Sequence, residues 1–365
     1  MYAKFIFSHL IHRLPEKNGL CMKKTKLIVT PHSELWLQLF VPKHWDYIIL
    51  DIKSFESKSN DFPDQYDIFY LSDVGYNSVS KIINQPSRGS CLELSILCNN
   101  KYKARTEMFT LQDIPFVLCD TSYIEWYNTN DKLIAKPVTG SGSRDLYIVS
   151  HGDYINNPEK EVFIVEKYID DNYPRISVDG YISGNNIGII SIWDNVYDEN
   201  NKTQLTGLSF PSIHSQNPDI LNKYISVVKE LTEKTNCNNQ IIDIEFFIIG
   251  KHDIRVIEIN PRCGGNYLPI YKVTGYLPLL VSEQLKNNIV PEKTEKLGKG
   301  YTRYNYEVNN VSNYLQPEIF QNNIYSFSVE SDTYSHSFAY SYDEDIHMKD
   351  LQIASQNEYD KLINK

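Results

Sequence analysis

From residue 26 to about 98 the chain alternates short apolar runs with amphipathic stretches: "KLIVT", "HSELWLQLF", "DYIILD", "DIFYL" and "YNSVSKII". Short β-branched runs bounded by turn residues predict strands, and apolar positions three or four apart predict helices. Their alternation predicts an α/β layer on a parallel sheet. In "KYKARTEMFTL", Tyr102, Thr106, Met108 and Phe109 or Leu111 fall at roughly helical spacing, which predicts a helix with Lys101 and Arg105 on one side. The strand "PFVLC" follows.

From residue 132 the pattern becomes antiparallel. "LIAKPV" reads as a strand, "TGSGSRD" as a loop, and "LYIV" and "VFIVEKYI" as further strands. "RISVDGYISGNNIGIISIW" is two strands around "SGNN", a hairpin signal. A helix over "PDILNKYISVVKELTEKTN" leads to a second strand pair, "QIIDIEFFIIG" and "DIRVIEIN", joined at "GKHD". After residue 298 the chain is rich in Tyr and Asn and alternates weakly, which predicts strands and loops without fixing their positions. That region is open to two uses, lining a substrate pocket or forming the face of a homodimer.

Length and composition add limits. The chain has 365 residues, 41% hydrophobic and 22% charged, enough for a soluble protein of two or three domains. A net charge of -10 without a Lys/Arg block speaks against nucleic acid, so an anionic ligand needs a local basic site. No apolar run reaches membrane-spanning length, and the first 21 residues are too polar for a signal peptide. They read as an appendage before an ordinary cytoplasmic start. The six cysteines lack CxxC spacing and read as reduced thiols, not a zinc site.

The strand pair at "GKHD" carries the strongest chemistry. Side chains alternate along a strand, so Glu258, Asn260 and Arg262 share one face, and antiparallel pairing brings Glu245 to the same end. Two carboxylates and an amide make an oxygen donor set suited to Mg²⁺. A single strand glutamate is more often solvent-facing, but the full set is not explained that way. Lys136 ends the strand before Gly140, Ser141, Gly142 and Ser143, whose glycines let backbone N–H groups approach phosphate oxygens. No GK[ST] follows, so this is not a P-loop. "VFIVEKYI" ends in Glu166 and Lys167, either a solvent-facing edge or a backbone edge for an adenine ring. His214, in "SFPSIHSQ", is a candidate general base, although a lone loop histidine is more often structural.

Lys101, Lys136, the "GSGS" loop, "VEKYI", "SVDGY", "DIEF" and "IEINPRCGG" occur in an order that resembles the ATP-grasp superfamily over roughly residues 95 to 285. Within it the chain looks most like the carboxylate–amine ligases that include L-amino acid ligases, with a more distant likeness to biotin carboxylase. The resemblance implies an α/β (α+β) ATP-grasp fold: a leading α/β domain over 1–98, a small antiparallel lobe with its linking helix over 99–172, and a large lobe over 173–365. It further implies ATP and Mg²⁺ as cofactors, with Lys101 and Lys136 on phosphates and the backbone of Glu166, Lys167, Tyr168 and Ile169 on adenine. Glu245, Glu258 and Asn260 would bind the metal, and Arg262 would face the reacting carboxyl phosphate. Gly264 and Gly265 would present N–H groups to the same carboxylate or phosphate. Arg175, where many relatives have glutamate, and Tyr276, where many have aspartate, mark a substrate pocket of this chain's own.

The implied reaction makes an amide from a carboxylate and an amine, amino-acid-like substrates, through an acyl phosphate with release of ADP and phosphate. A ligase loading a carboxylate onto a carrier-protein thiol shares the first half of that reaction. A non-catalytic nucleotide-binding protein is the third reading, and retention of both lysines and all three metal ligands speaks against it.

Overall fold

The computed structural model describes residues 24–30, 41–58, 66–119, 123–140, 145–155, 162–198, 204–264, 267–293, 297–305, 314–315, 318–330 and 335–363. The appendage read at 1–21 and the helix expected at "HSELWLQLF" lie outside them.

The chain opens with β1 (Thr25–Thr30), β2 (Tyr47–Asp51), α1 (Ile52–Ser57), β3 (Tyr66–Tyr70) and α2 (Asp73–Ile82). The strands form a parallel sheet in the order β2-β1-β3, as the alternating pattern predicts. Both faces of β1 are buried, which is why "KLIVT" reads as a continuous apolar run. Leu27 and Val29 pack with Phe55 and Val79, while Ile28 joins Phe69 and Trp45 in a core shared with the rest of the molecule.

Next come α3 (Leu92–Asn99) and α4 (Lys101–Glu107). Asn100 between them caps α4, its side-chain oxygen accepting the Lys103 N–H at 2.8 Å. Strands β4 (Phe116–Cys119), β5 (Leu133–Pro137), β6 (Tyr147–Val149) and β7 (Phe163–Lys167) form an antiparallel sheet in the order β4-β7-β5-β6. One face carries Cys119, Leu133, Ala135, Phe163 and Val165 against Trp126 and Ile124. The other face carries Lys136 and Glu166, two residues apart in the β5–β7 register.

The largest sheet begins with the hairpin β8 (Arg175–Ser183) and β9 (Asn186–Tyr197), followed by β10 (Leu205–Phe210), α5 (Pro218–Thr235), β11 (Asn239–Ile248) and β12 (Ile254–Asn260). After α6 (Tyr267–Thr274) and α7 (Pro278–Lys286) come β13 (Lys299–Asn305), β14 (Tyr314–Leu315), β15 (Ile319–Gln321), β16 (Ile324–Glu330), β17 (Ser335–Ser341) and α8 (Met348–Ile363). Among the described residues the order is β12-β11-β8-β9-β10-β13-β17-β16-β14, with β15 on β16. The Tyr-rich region thus extends the same sheet, and α8 covers it, a helix where strands and loops were expected.

Alternation gives β8, β11 and β12 two unlike faces. Ile176, Val178, Ile242, Ile244, Phe246 and Ile259 pack under α5, against Tyr224, Val227, Val228 and Leu231. Gly180 makes that approach possible: a Cβ there would lie 2.5 Å from the Tyr224 hydroxyl oxygen. The opposite face is polar.

Candidate functional site

Register builds the polar face. Glu245 lies directly opposite Glu258, and Asp243 lies between Asn260 on β12 and Asp179 on β8. Directly opposed residues of an antiparallel pair share a face at close Cβ spacing. The alternate positions of "DIEFF", "EINPR" and "SVDGY" therefore place four carboxylates and an amide side by side. A bulge between Glu245 and Phe246 leaves Ile257 as the extra residue of β12, immediately before Glu258.

Cations from three elements converge on this face. Lys101 Nζ is 3.1 Å from a Glu258 carboxylate oxygen and donates to the Gly140 carbonyl at 2.6 Å, so α4, β12 and the glycine loop meet at one ammonium. Gly140 has a φ of 142°, a left-handed conformation that suits glycine. Arg262 donates to Asp243 at 3.0 Å and to Asp73, at the start of α2, at 2.8 Å. Lys136 donates to Glu166 at 2.6 Å.

The acids differ in what they feel. Burial, then the charge of Glu258, pushes the Glu245 carboxyl up to about 7. Burial likewise raises Asp243, reinforced by Asp179 and Glu245 and opposed by the Arg262 guanidinium. Burial raises Asp179 too, offset by the Gly264 N–H at 2.6 Å and the Ser191 hydroxyl at 3.0 Å. Glu166 goes the other way: burial alone would raise it, but Arg105 and Lys136 outweigh burial and bring it down to about 2.

The donor chemistry fits a hard divalent cation. No three His, Cys, Asp or Glu side chains among the described residues are gathered so as to hold a metal alone. Two opposed glutamates and the Asn260 amide offer an incomplete oxygen set, which suits Mg²⁺ because it retains waters and accepts phosphate oxygens. One oxygen of Asp243 beside them is buried without a hydrogen-bond partner.

The remaining sequence candidates fall in several places. Lys167 Nζ pairs with Asp131 at 3.1 Å, and the Lys167 and Tyr168 N–H groups donate to the carbonyls of Pro115 and Lys132 at 3.0 and 2.9 Å. Those two amides are committed to the sheet and its flank. The Tyr168 hydroxyl donates to Asp171, and Ile169 is buried. Arg175 binds Asp171 at 2.5 Å and lies over the Tyr197 ring at 4.1 Å, on the same face as Glu245. Tyr276 packs near Tyr181, two positions along β8 from Asp179.

His214 is not brought to the acidic face. Its turn leads into α5, and the neighbouring Asn217 reaches the Lys251 carbonyl at the far end of the β11–β12 hairpin. The Gly264 N–H, expected to face a substrate anion, is engaged by Asp179. Ser141, Gly142, Ser143 and Gly265 lie outside the described residues.

Sequence reasoning missed four participants: Asp179, Asp243, Asp73 and Arg105. The first two sit inside "SVDGY" and "DIEF", where alternation alone places them on the face of the glutamates. Nothing local signals the carboxylate–guanidinium pairings of the other two: Asp73 meets Arg262 189 residues away, and Arg105, read only as sharing a helix side with Lys101, meets Glu166 61 residues away.

Residues 98–266 match the family model described as ATP-grasp domain. A search of curated proteins found no match to the sequence. Among solved structures, biotin carboxylase from Campylobacter jejuni, in a beta-gamma-ATP complex, superposes with a TM-score of 0.62 at 14% identity over 94% of this chain and 96% of that one. N5-carboxyaminoimidazole synthetase from Staphylococcus aureus complexed with ADP gives 0.60 at 14% identity, over 93% of this chain and 98% of that one. L-amino acid ligase from Bacillus licheniformis gives 0.60 at 13% identity, with the same coverages of 93% and 98%. Residues 98–266 thus match an ATP-grasp domain, and the chain as a whole shares the fold of these structures.

Proposed function

We propose that the chain is an ATP-dependent ligase that joins an amino-acid-like carboxylate to an amine through an acyl phosphate, releasing ADP and phosphate. The observation that carries this reading is the opposed pair Glu245 and Glu258, with Lys101 on one and Arg262 a short step along the same face. A carboxylate pair flanked by cations suits a metal–phosphate substrate better than an organic anion alone. The activities for which the structural neighbours are named, carboxylation and amino-acid ligation among them, agree with it.

Glu245, Glu258 and Asn260 would hold Mg²⁺, which when bound supplies neutralisation of phosphate charge. Lys101 and Lys136 would orient the phosphates of ATP, Lys136 from the small antiparallel sheet and Lys101 from α4. Arg262 would hold the acid, so that a carboxylate oxygen attacks the γ-phosphorus in line and ADP leaves. The neutral amine nitrogen then attacks the acyl carbon, the bond from that carbon to the phosphate oxygen breaks, and phosphate departs as the nitrogen gives up a proton to the leaving phosphate or to solvent.

The test is nucleotide turnover with Mg²⁺ over paired amino acids, with chromatography of the nucleotide and mass spectrometry of the product. ADP with a product of amide mass is expected. AMP as the main nucleotide would refute the acyl-phosphate route, and a thioester on an added carrier protein would replace the amine with a thiol. Nucleotide binding without turnover across the panel would favour a non-catalytic protein.

A further inference from the structure

Arg105 is 2% exposed, yet each of its guanidinium nitrogens has a partner. Nε donates to Glu166 at 2.9 Å, Nη1 to the Leu111 carbonyl at 2.6 Å, and Nη2 to the carbonyls of Val256 at 2.8 Å and Ile257 at 3.3 Å. Glu166 belongs to the small antiparallel sheet, and Val256 and Ile257 belong to β12 of the large one. Ile257 is the bulged residue just before Glu258, and Val256 precedes it. Arg105 also lies one helical turn after Lys101, so a single face of α4 sends one cation to Glu258 and another to Glu166.

The charge count around Glu166 is unequal. Its Oε1 accepts from Arg105 and its Oε2 from Lys136, so two cations share one carboxylate. The trio carries a net charge of +1. Without Arg105 the carboxylate would balance Lys136 completely and leave nothing for an anionic phosphate.

Building on the ATP-ligase reading, we propose that Arg105 is a positioning residue of the nucleotide site. By holding one oxygen of Glu166 it leaves Lys136 with positive charge to present to phosphate. By gripping the two carbonyls at the bulge it fixes β12, and with it Glu258, relative to that lysine. A guanidinium suits the task because its rigid fork can serve a carboxylate and several carbonyls at once.

Calorimetric titration with ADP in the absence of Mg²⁺ tests this on the full chain. Arg105→Gln is expected to weaken ADP binding by about tenfold, the effect of one lost charge-assisted contact. Adding Glu166→Gln to that variant restores the net charge to +1 and is expected to recover most of the affinity. A purely structural role for Arg105 predicts the reverse, since the double variant loses more native hydrogen bonds. Parent-like binding by Arg105→Gln, or a double variant that is folded by circular dichroism yet stays weak, would overturn the proposal. If Arg105→Gln does not fold, Glu166→Gln alone decides: its net charge is +2, so tighter ADP binding supports the proposal and weaker binding overturns it. Absence of ADP binding by the unaltered chain would instead remove the ATP reading on which the proposal rests.

Discussion

At Glu166 two cations overcome complete burial, and the result is a carboxyl that titrates far below its ordinary value. The folded pKa of about 2 lies under the unfolded 4.5, so this group's contribution to stability is fully present above about pH 4.5 and is lost as pH falls toward 2. Its size is on the order of 3 kcal/mol, since each tenfold change in proton affinity is worth about 1.4 kcal/mol. Urea unfolding between pH 6 and 2 should therefore show an acid-sensitive slope that Glu166→Gln flattens; equal slopes in the two chains would show that the carboxylate is not held this way. Glu258 offers a different test. Glu258→Gln removes charge from a partly exposed side chain and no volume from the core, so the fold should persist while turnover falls by about a hundredfold or more, at the upper end of what lost metal-shell contacts cost. Normal turnover in a folded variant would show the metal to be elsewhere. The glutamates were legible as residues of two paired strands, but their direct opposition was not: counting from the turn puts Glu245 opposite Ile257, and only the bulge there brings it to Glu258. The state of each acid was not legible, because it depends on burial and on distant Arg105 and Arg262.

Among the elements, the β8–β9 hairpin and the β11–β12 pair follow their turn residues closely, with Gly184 at a φ of 59° in the first. Helix α8 shows how such reading fails. Its buried side chains include Leu351, Ser355 and Glu358, at helical spacing but mostly polar, so no apolar stripe advertises the helix. Tertiary partners supply what hydrophobicity does not: the Ser355 hydroxyl meets that of Ser337 at 2.9 Å, and Glu358 accepts from the Ser326 hydroxyl of β16 at 3.4 Å. The packing of α5 gives a sharper prediction. Gly180→Ala places a methyl group 2.5 Å from both the Tyr224 hydroxyl oxygen and the Gly188 carbonyl oxygen, and one of those neighbours is backbone. A loss of about 1–3 kcal/mol is expected, as for other overpacked cores. An unchanged urea midpoint would mean that α5 shifts away without cost.

Across the whole molecule, the leading parallel sheet is joined to the rest by charge as well as by apolar packing. Lys26 pairs with Asp67 at 2.6 Å and with Glu283 of α7 at 2.7 Å, while Lys286 lies 3.9 Å from the centre of the Phe69 ring and pairs with Asp67 at 3.4 Å. Burial lowers the Lys286 ammonium to about 8, with Asp67 opposing the shift. Asp67→Asn would leave Lys26 paired with Glu283 alone and remove the carboxylate that Lys286 pairs with, and a loss of about 2 kcal/mol is expected, between the values for exposed and buried pairs. An unchanged melting temperature would show that packing alone holds the junction.

The second charged link has a different consequence. Arg262 is held by Asp73 of α2 and Asp243 of β11 at once, while the proposed acid needs the same guanidinium. Substrate and Asp73 therefore compete for one guanidinium, and reciprocity requires that the factor by which the Asp73 contact weakens the anion equals the factor by which the anion weakens that contact. Asp73→Asn should lower thermal stability and raise affinity for an acidic ligand, two changes of opposite sign from one substitution. If both fall together, Asp73 touches the ligand itself, and the antagonism becomes cooperation.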